Sequence, residues 1–480
     1  MRRFGIAIAA SLALLASACG GGSSSSSGSS ESGAAIAPAD TALFVSVSSD
    51  LDSSQWKTAQ ALLDRFPGHA KIVADLRASF EKDSKLDFEN DVRPALGPEI
   101  DVIWLDLADK GTNVVAVTQP KDDGKFKAMI DKGNATGDTK LLTEKVGDWT
   151  AISDKQASLD AFKQASAGDK LADAQPFKDA TGKLSGDAIV KAYANGAKVT
   201  DTLQQSFSQL GPALAAQGKL TWASAELVAQ DGGMRLDAYS KSENAPASSQ
   251  GKPYTSELLS RVPADAVAFL TFRGGNSFDR LQQQSSQVPQ QFQSFLGVAK
   301  SLGPIFKNET ALYVRPGTPI PEITLLAKPD SAADGVAAVD KLVAALGLLG
   351  GGLKATPATI GGVKVERLDL GQFAILYGDA AGTFVVSTSE RAFSQEGGDK
   401  LSDSSFFKDA AKSAGMPAAT GGFVYLNLKD GIPLAESFAQ LAGSGLSPDT
   451  IANLRPLRSF LAYATADGGE GSATAFLGIQ

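Results

Sequence analysis

The 480-residue chain contains one cysteine, Cys19, and one histidine, His69. A lone cysteine leaves no intrachain disulfide, so stability has to come from packed cores. A lone histidine with no second thiol excludes zinc sites and Cys-His or Ser-His-Asp catalysis. A basic excess is also missing: 45 Lys and Arg stand against 53 Asp and Glu, a net charge of −8. Phosphate binding needs a basic patch, so nucleic acid is excluded as a partner, and so is charge-driven binding to anionic lipid. No apolar run reaches the roughly 20 residues that cross a bilayer. The closest after the N-terminus, "VAALGLLGGGL" at 343–353, is short and broken by glycine. Phosphate-cradling glycine loops are absent. "RGGNSFDRL" from Arg273 has paired glycines but no Gly-x-Gly-x-x-Gly or Gly-Lys-Ser/Thr, and reads as a strand-to-helix turn capped by Asn276 or Ser277. The remaining balance, 43% hydrophobic and 20% charged, is that of a globular protein.

What is present begins at the N-terminus. Arg2 and Arg3 precede an apolar stretch from Phe4 to Leu15, and Ala16, Ser17 and Ala18 lead into Cys19. That order is a secretory signal over residues 1–18, exported by the general route. Small residues ending at a cysteine resemble the lipobox of bacterial lipoproteins. The resemblance implies that Cys19 is lipidated on sulfur, acylated at its new N-terminus and becomes the first residue after cleavage. Several acyl chains make a stable anchor, since each buried methylene contributes about 0.8 kcal/mol. Residues 19–35 then form the lipidated cysteine and a Gly/Ser tether, a flexible coil. The protein is expected outside the cytoplasm, anchored to the cell membrane.

The rest of the chain is written twice. "IAPADTALFVSV" from Ile36 is matched by "RVPADAVAFLTF" from Arg261, and "LGPEIDVIWLDL" from Leu96 by "LGPIFKNETALYV" from Leu302. "NVVAVTQPKDDGKFKAMID" from Asn113 is matched by "EITLLAKPDSAADGVAAVD" from Glu322. The sharpest pair is "GDKLADAQPFKDA" from Gly168 and "GDKLSDSSFFKDA" from Gly398. Both copies close on two strands around Asp-Gly-Gly, a hairpin signal. The spacing predicts repeat domain 1 over 36–243, a linker over 244–253 and repeat domain 2 over 254–480. In the first copy Pro67 and Gly68 split a long helical stretch in two. The second inserts extra strand material, "ATIGGVKVERLDLGQFAILYGDAA". Strands alternate apolar and polar residues without a βαβ rhythm. The expected fold is α+β: two tandem related domains from an internal duplication, each a mainly antiparallel sheet with helices packed on it.

The "PADTALFVSV" start and "FENDVRPALGPEIDV" from Phe88, followed by strand, turn and helix, carry a more specific resemblance. They are similar to an uncharacterised bacterial lipoprotein family with the domain of unknown function thirty-three fifty-two. Asp91, Pro94, Leu96 and Gly97 are its most specific piece. The resemblance covers nearly the whole chain after the leader and implies no activity, cofactor or catalytic residue.

Few residues invite chemistry. His69 follows Pro67-Gly68 and reads as a turn or cap residue. Asp122 and Asp123 in "PKDDGKF", and Asp330 in "PDSAADG", read as acidic helix starts; the calcium-loop spacing is absent. Asp40 and Asp265, in the two Pro-Ala-Asp turns, read as strand-initiating turns. No catalytic, metal or cofactor residue is assigned; Cys19 is the one modification site. The first expectation is therefore a non-enzymatic envelope protein with a binding or interaction surface for an unknown envelope partner. The second is a carrier of an apolar or lipid ligand, its pocket lined by the glycine-rich helix at 343–353. The third is a hydrolase using two carboxyl groups roughly 5–9.5 Å apart.

Overall fold

A computed structural model describes residues 32–108, 111–136, 140–206, 218–244, 252–275, 302–318, 320–346, 354–371, 373–394, 397–441 and 443–480. The leader, Cys19 and the turn at Asn276 and Ser277 lie outside the described residues. The first half supplies strands β1 (Leu43–Ser48), β2 (Glu99–Trp104), β3 (Val114–Thr118), β4 (Leu142–Val146), β5 (Trp149–Ser153), β6 (Val190–Asn195), β7 (Lys219–Gln230) and β8 (Gly233–Glu243). Its helices are α1 (Ser54–Leu63), α2 (His69–Ser84), α3 (Asp123–Thr136), α4 (Gln156–Ala165), α5 (Gln175–Thr181) and α6 (Gly196–Ser206). The second half supplies β9 (Ala268–Arg273), β10 (Glu309–Arg315), β11 (Glu322–Ala327), β12 (Ala355–Ile360), β13 (Val363–Asp369), β14 (Ala374–Ala380), β15 (Thr383–Ser387), β16 (Gly422–Asn427), β17 (Leu457–Asp467) and β18 (Glu470–Ile479). Helices α7 (Ala332–Leu346), α8 (Ser405–Ser413), α9 (Leu428–Leu441) and α10 (Pro448–Leu454) accompany them. The break at Pro67-Gly68 separates α1 from α2, and the inserted stretch forms β12, β13 and β14.

All strand pairings are antiparallel, and the strands form one 18-stranded sheet. The first half pairs in the order β4-β5-β3-β2-β1-β6-β7-β8. The second pairs as β18-β17-β16-β9-β10-β11-β15-β14-β13-β12. The run β5-β3-β2-β1-β6-β7-β8 is thus met again as β15-β11-β10-β9-β16-β17-β18. The sequence suggested a separate sheet for each half; instead the two are continuous. The closing strands β8 and β18 pair with each other from Glu470↔Lys241 to Gly478↔Gly233. Left apart, each would present an unpaired edge of N–H and C=O groups.

The sheet has helices on both faces. On one face α4 and α5 bury Leu159, Phe162 and Phe177 against Phe44, Ile103, Val117, Tyr193 and Trp222. In the second half α8 buries Phe407 against Phe423 and Tyr425 on the same face. Phe177 meets the Tyr193 ring at 5.1 Å, as Phe407 meets Tyr425 at 5.1 Å. On the opposite face α1 and α2 cover Ile100, Ala229 and Ile479, and α7 covers Tyr377 and Phe384. Arg65 donates to the Ile479 carbonyl at 2.6 Å, and the Gly68 amide to Asn453 Oδ1 at 2.6 Å. The turn between α1 and α2 is thereby tied to the second half.

The recurring motifs explain each other. Pro38 bridges Lys170, with Ala39 N–H donating to the Asp169 carbonyl and Leu171 N–H to Ala37. Pro263 bridges Lys400 with the same two bonds, Ala264 to Asp399 and Leu401 to Val262. Pro-Ala-Asp and Gly-Asp-Lys-Leu are therefore two sides of one backbone contact. The Asp-Gly-Gly turns are not equivalent. The β7–β8 hairpin closes on Gln230↔Gly233 around Asp231-Gly232, whereas β17–β18 closes on Asp467↔Glu470 around Gly468-Gly469. Both loop residues of the second hairpin have positive φ, +57° and +91°, the twist-matched geometry that glycine permits.

Candidate functional site

On the face that α1, α2 and α7 cover at its flanks, the central strands carry two cross-strand ladders of mostly small side chains. One runs Trp104–Leu43–Ala194–Ala223–Ser240–Gly471. The next runs Val45–Ala192–Ala225–Ala238–Ala473–Ala464. A third ladder, Val47–Val190–Leu227–Leu236–Ala475, restores bulk on one side. The step in size leaves a trough across the strands, a cavity of about 580 Å³. Seven strands at about 4.8 Å spacing make it about 29 Å long. Ala464 and Ala473 are exposed, and the alanines of β6, β7 and β8 half-buried. Leu236 stands 46% exposed on the ledge. No charged side chain lines the trough among the described residues. The polar side chain on its ladders is Ser240; Thr465 and Ser472, whose oxygens lie 2.7 Å apart, point to the other face with Tyr239.

Why this floor forms is a matter of parity. In "KAYAN", "TWASAE" and "LDAYSK" an aromatic residue on one face is flanked by alanine or serine on the other. Tyr193, Trp222 and Tyr239 go to the core face. Ala192, Ala194, Ala223, Ala225 and Ala238 are left for the other. The sequence reading missed these residues, although alternating alanine beside aromatic residues was the available signal. It placed the pocket at 343–353 instead. The described part of that stretch belongs to α7, which packs on β14 and β15 away from the trough; residues 347–353 lie outside the described residues. Helix α6 leaves directly from β6 at the trough's side. Its first residue must be small, because a Cβ at Gly196 would lie 2.2 Å from the Leu220 carbonyl oxygen.

Two buried carboxylates hold the turns that lead into each half. Asp101 is fully buried and accepts the Gly33 amide at 2.7 Å. Burial and the neighbouring Glu99 carboxylate push its pKa well above the usual value, and burial raises Glu99 as well. Ser46 donates to Glu99 at 3.3 Å. In the second half Glu309 accepts Ser256 Oγ at 2.5 Å and the Glu257 and Leu258 amides at 3.0 and 3.3 Å. Thr271 donates to it at 3.4 Å. These groups anchor backbone. Asp101, with no exposed surface, is closed to a substrate.

The other residues singled out in the sequence are scattered. His69 opens α2, with Nδ1 2.8 Å from the Phe66 carbonyl and Nε2 3.5 Å from Asp64. Asp122 accepts the Lys125 amide at 2.9 Å at the start of α3, and Asp123 pairs with Lys145 at 2.7 Å. Asp330 pairs with Lys307, whose ammonium holds its pKa below the usual range. Asp40 pairs with Lys198 and Asp265 with Arg315. None of them lines the trough. Among the described residues no group of three or more His, Cys, Asp or Glu could hold a metal ion, and no helix is long and apolar enough to cross a membrane.

Residues 4–312 match the family described as "Protein of unknown function (DUF3352)". No curated protein matches the chain. Two solved chains are similar to it. "Structure of crystal form IV of TP0453" is 14% identical with a TM-score of 0.25, over 46% of this chain and 81% of that one. "Structure of crystal form I of TP0453" is 11% identical with a TM-score of 0.25, over 45% and 82%.

Proposed function

This chain belongs to the DUF3352 family of proteins of unknown function, and we propose that it is an exported, lipid-anchored binding protein that carries an apolar chain in its central trough. The observation behind this reading is the uncharged cavity of about 580 Å³ floored by alanine ladders. That volume lies within the roughly 300–1,000 Å³ of small-molecule sites, which are mostly apolar with a few placed polar groups. The length also fits. About 29 Å of trough is about twice the roughly 15 Å that one leaflet contributes to a hydrocarbon core, room for an acyl chain of the length that fills a leaflet. Backbone-close alanines let such a chain lie flat, and the Ser240 hydroxyl offers its head group a hydrogen bond.

The anchor belongs to the same reading. A lipidated Cys19 followed by a Gly/Ser tether keeps the trough within a few nanometres of a membrane, where apolar chains are found. The two halves are read as related copies, repeat domains over 36–243 and 254–480, on the strength of the recurring pairing order and the matched Pro-Ala-Asp and Gly-Asp-Lys-Leu contacts. In this reading the protein has no catalytic role.

Native mass spectrometry of the form beginning at Gly20, purified without detergent, tests the proposal. A stoichiometric apolar adduct, identified in an organic extract of the same sample, is expected. A bare mass, together with failure to bind a fluorescent fatty acid, would sink the carrier reading. It would favour a docking surface for an envelope protein instead.

A further inference from the structure

The two ends of the trough differ, and the difference has a functional consequence. At the β2 end the floor finishes on Trp104, and no described residue of β3 lines the cavity. The position behind Val45 in the second ladder is Val102, which is only 2% exposed, so the space does not continue there. The indole is backed by the loop that follows it. A Cβ on Gly111 would stand 3.5 Å from Trp104 Cδ1, and the φ of +68° at that residue favours glycine. The loop is braced by Asn113 donating to Asp106 at 2.8 Å and Leu105 N–H donating to the Asn113 carbonyl at 3.1 Å. Toward the opposite end the first ladder finishes on Ser240 and Gly471, so the trough-face hydroxyl there is that of Ser240.

We propose that Trp104 is the stop that selects chain length: the methyl end of a single acyl chain abuts the indole, and its polar end lies toward the Ser240 hydroxyl. This rests on the reading of the trough as an acyl-chain site. With no charged group along the floor, the lining is complementary to the uncharged chain, and discrimination falls on how much chain fits. Each methylene that fits strengthens binding about fourfold, and each that does not fit adds nothing or clashes. Trp104 is thus a specificity-determining residue.

The test uses the chain beginning at Gly20 and a series of saturated fatty acids of increasing length, with the matching lysophospholipids as a second arm to tell the two sources of chain apart. Trp104→Ala is expected to move the tightest-bound length upward, gaining about fourfold per methylene beyond the wild-type optimum. Trp104→Phe is expected to move it less. A second readout needs no variant. Trp56, Trp149 and Trp222 are buried, so Trp104 is the partly exposed indole among the four. An acid brominated at its methyl end is expected to quench tryptophan emission more than one brominated beside its carboxyl group. An unchanged length optimum in both variants, or the reverse quenching order, overturns the stop while leaving the trough site standing. Wild type that binds no member of either series overturns both.

Discussion

Thr474 donates a 2.6 Å hydrogen bond from Oγ1 to Oδ1 of Asp237, and the two residues are direct partners in the β8–β18 pairing that joins the halves. Both are buried, and Arg235 Nε holds the other oxygen of Asp237 at 2.7 Å. Thr474→Val keeps the shape but leaves a buried carboxylate oxygen without its donor. A loss of about 1–3 kcal/mol is expected by chemical denaturation. Because one sheet runs through both halves, wild type should melt in a single transition. Two resolved transitions would mean the halves fold independently.

Asp101 gives a prediction with a sign. Its folded-state pKa is raised, so the folded protein binds that proton more tightly than the unfolded chain does. Stability therefore falls as pH rises from the unfolded carboxyl value of about 3.9 through the folded one. Asp101→Asn removes the ionisation while its carbonyl oxygen can still accept the Gly33 amide. The variant should gain melting temperature over wild type progressively as pH rises through that window, and gain nothing at the acid end. A difference independent of pH would contradict the assignment.

Gly233 sits where β8 meets β18. A Cβ there would lie 2.2 Å from the Leu477 carbonyl and 2.6 Å from the Phe476 ring. Gly233→Ala should cost about 1–3 kcal/mol in denaturant midpoint terms. Gly186, where an added Cβ would meet nothing within 4 Å, is the matched control and should stay within about 0.5 kcal/mol.

Ala225 lies in the middle of the trough floor. Ala225→Phe should cut binding of a fluorescent fatty acid at least about tenfold, a cost of about 1.4 kcal/mol. Its melting temperature should hardly change, since the side chain enters open space and phenylalanine suits a strand. Equal binding by the variant would place the ligand elsewhere.

Cys19→Ala is expected to release the protein from membranes into the soluble fraction with the same circular dichroism spectrum. Retention in the membrane fraction would rule out the lipid anchor.

Much of this was written in the sequence. The break between α1 and α2 follows from Pro67-Gly68, because proline disfavours helical geometry in the residue before it. The inserted strands followed from alternation, and the two Pro-Ala-Asp and two Gly-Asp-Lys-Leu motifs marked the places where backbone meets backbone. Such features depend on a few consecutive residues and on steric rules that act locally. The tertiary structure alone decided the rest. Alternation in "KAYAN" or "TWASAE" says which residues share a face, but not what stands across from that face. Only the successive pairing of β6 with β7, β7 with β8 and β8 with β18 lines their alanines into one trough. The two Asp-Gly-Gly motifs look interchangeable, yet their hairpins close one residue apart. With a side-chain period of two, that single step decides which face each residue joins. It is the pairing that puts Thr474 opposite Asp237. Likewise no local signal joins Gly33 to Asp101 or β8 to β18. Those contacts exist because a buried carboxylate and an open sheet edge each require a partner, and the fold is what supplies one.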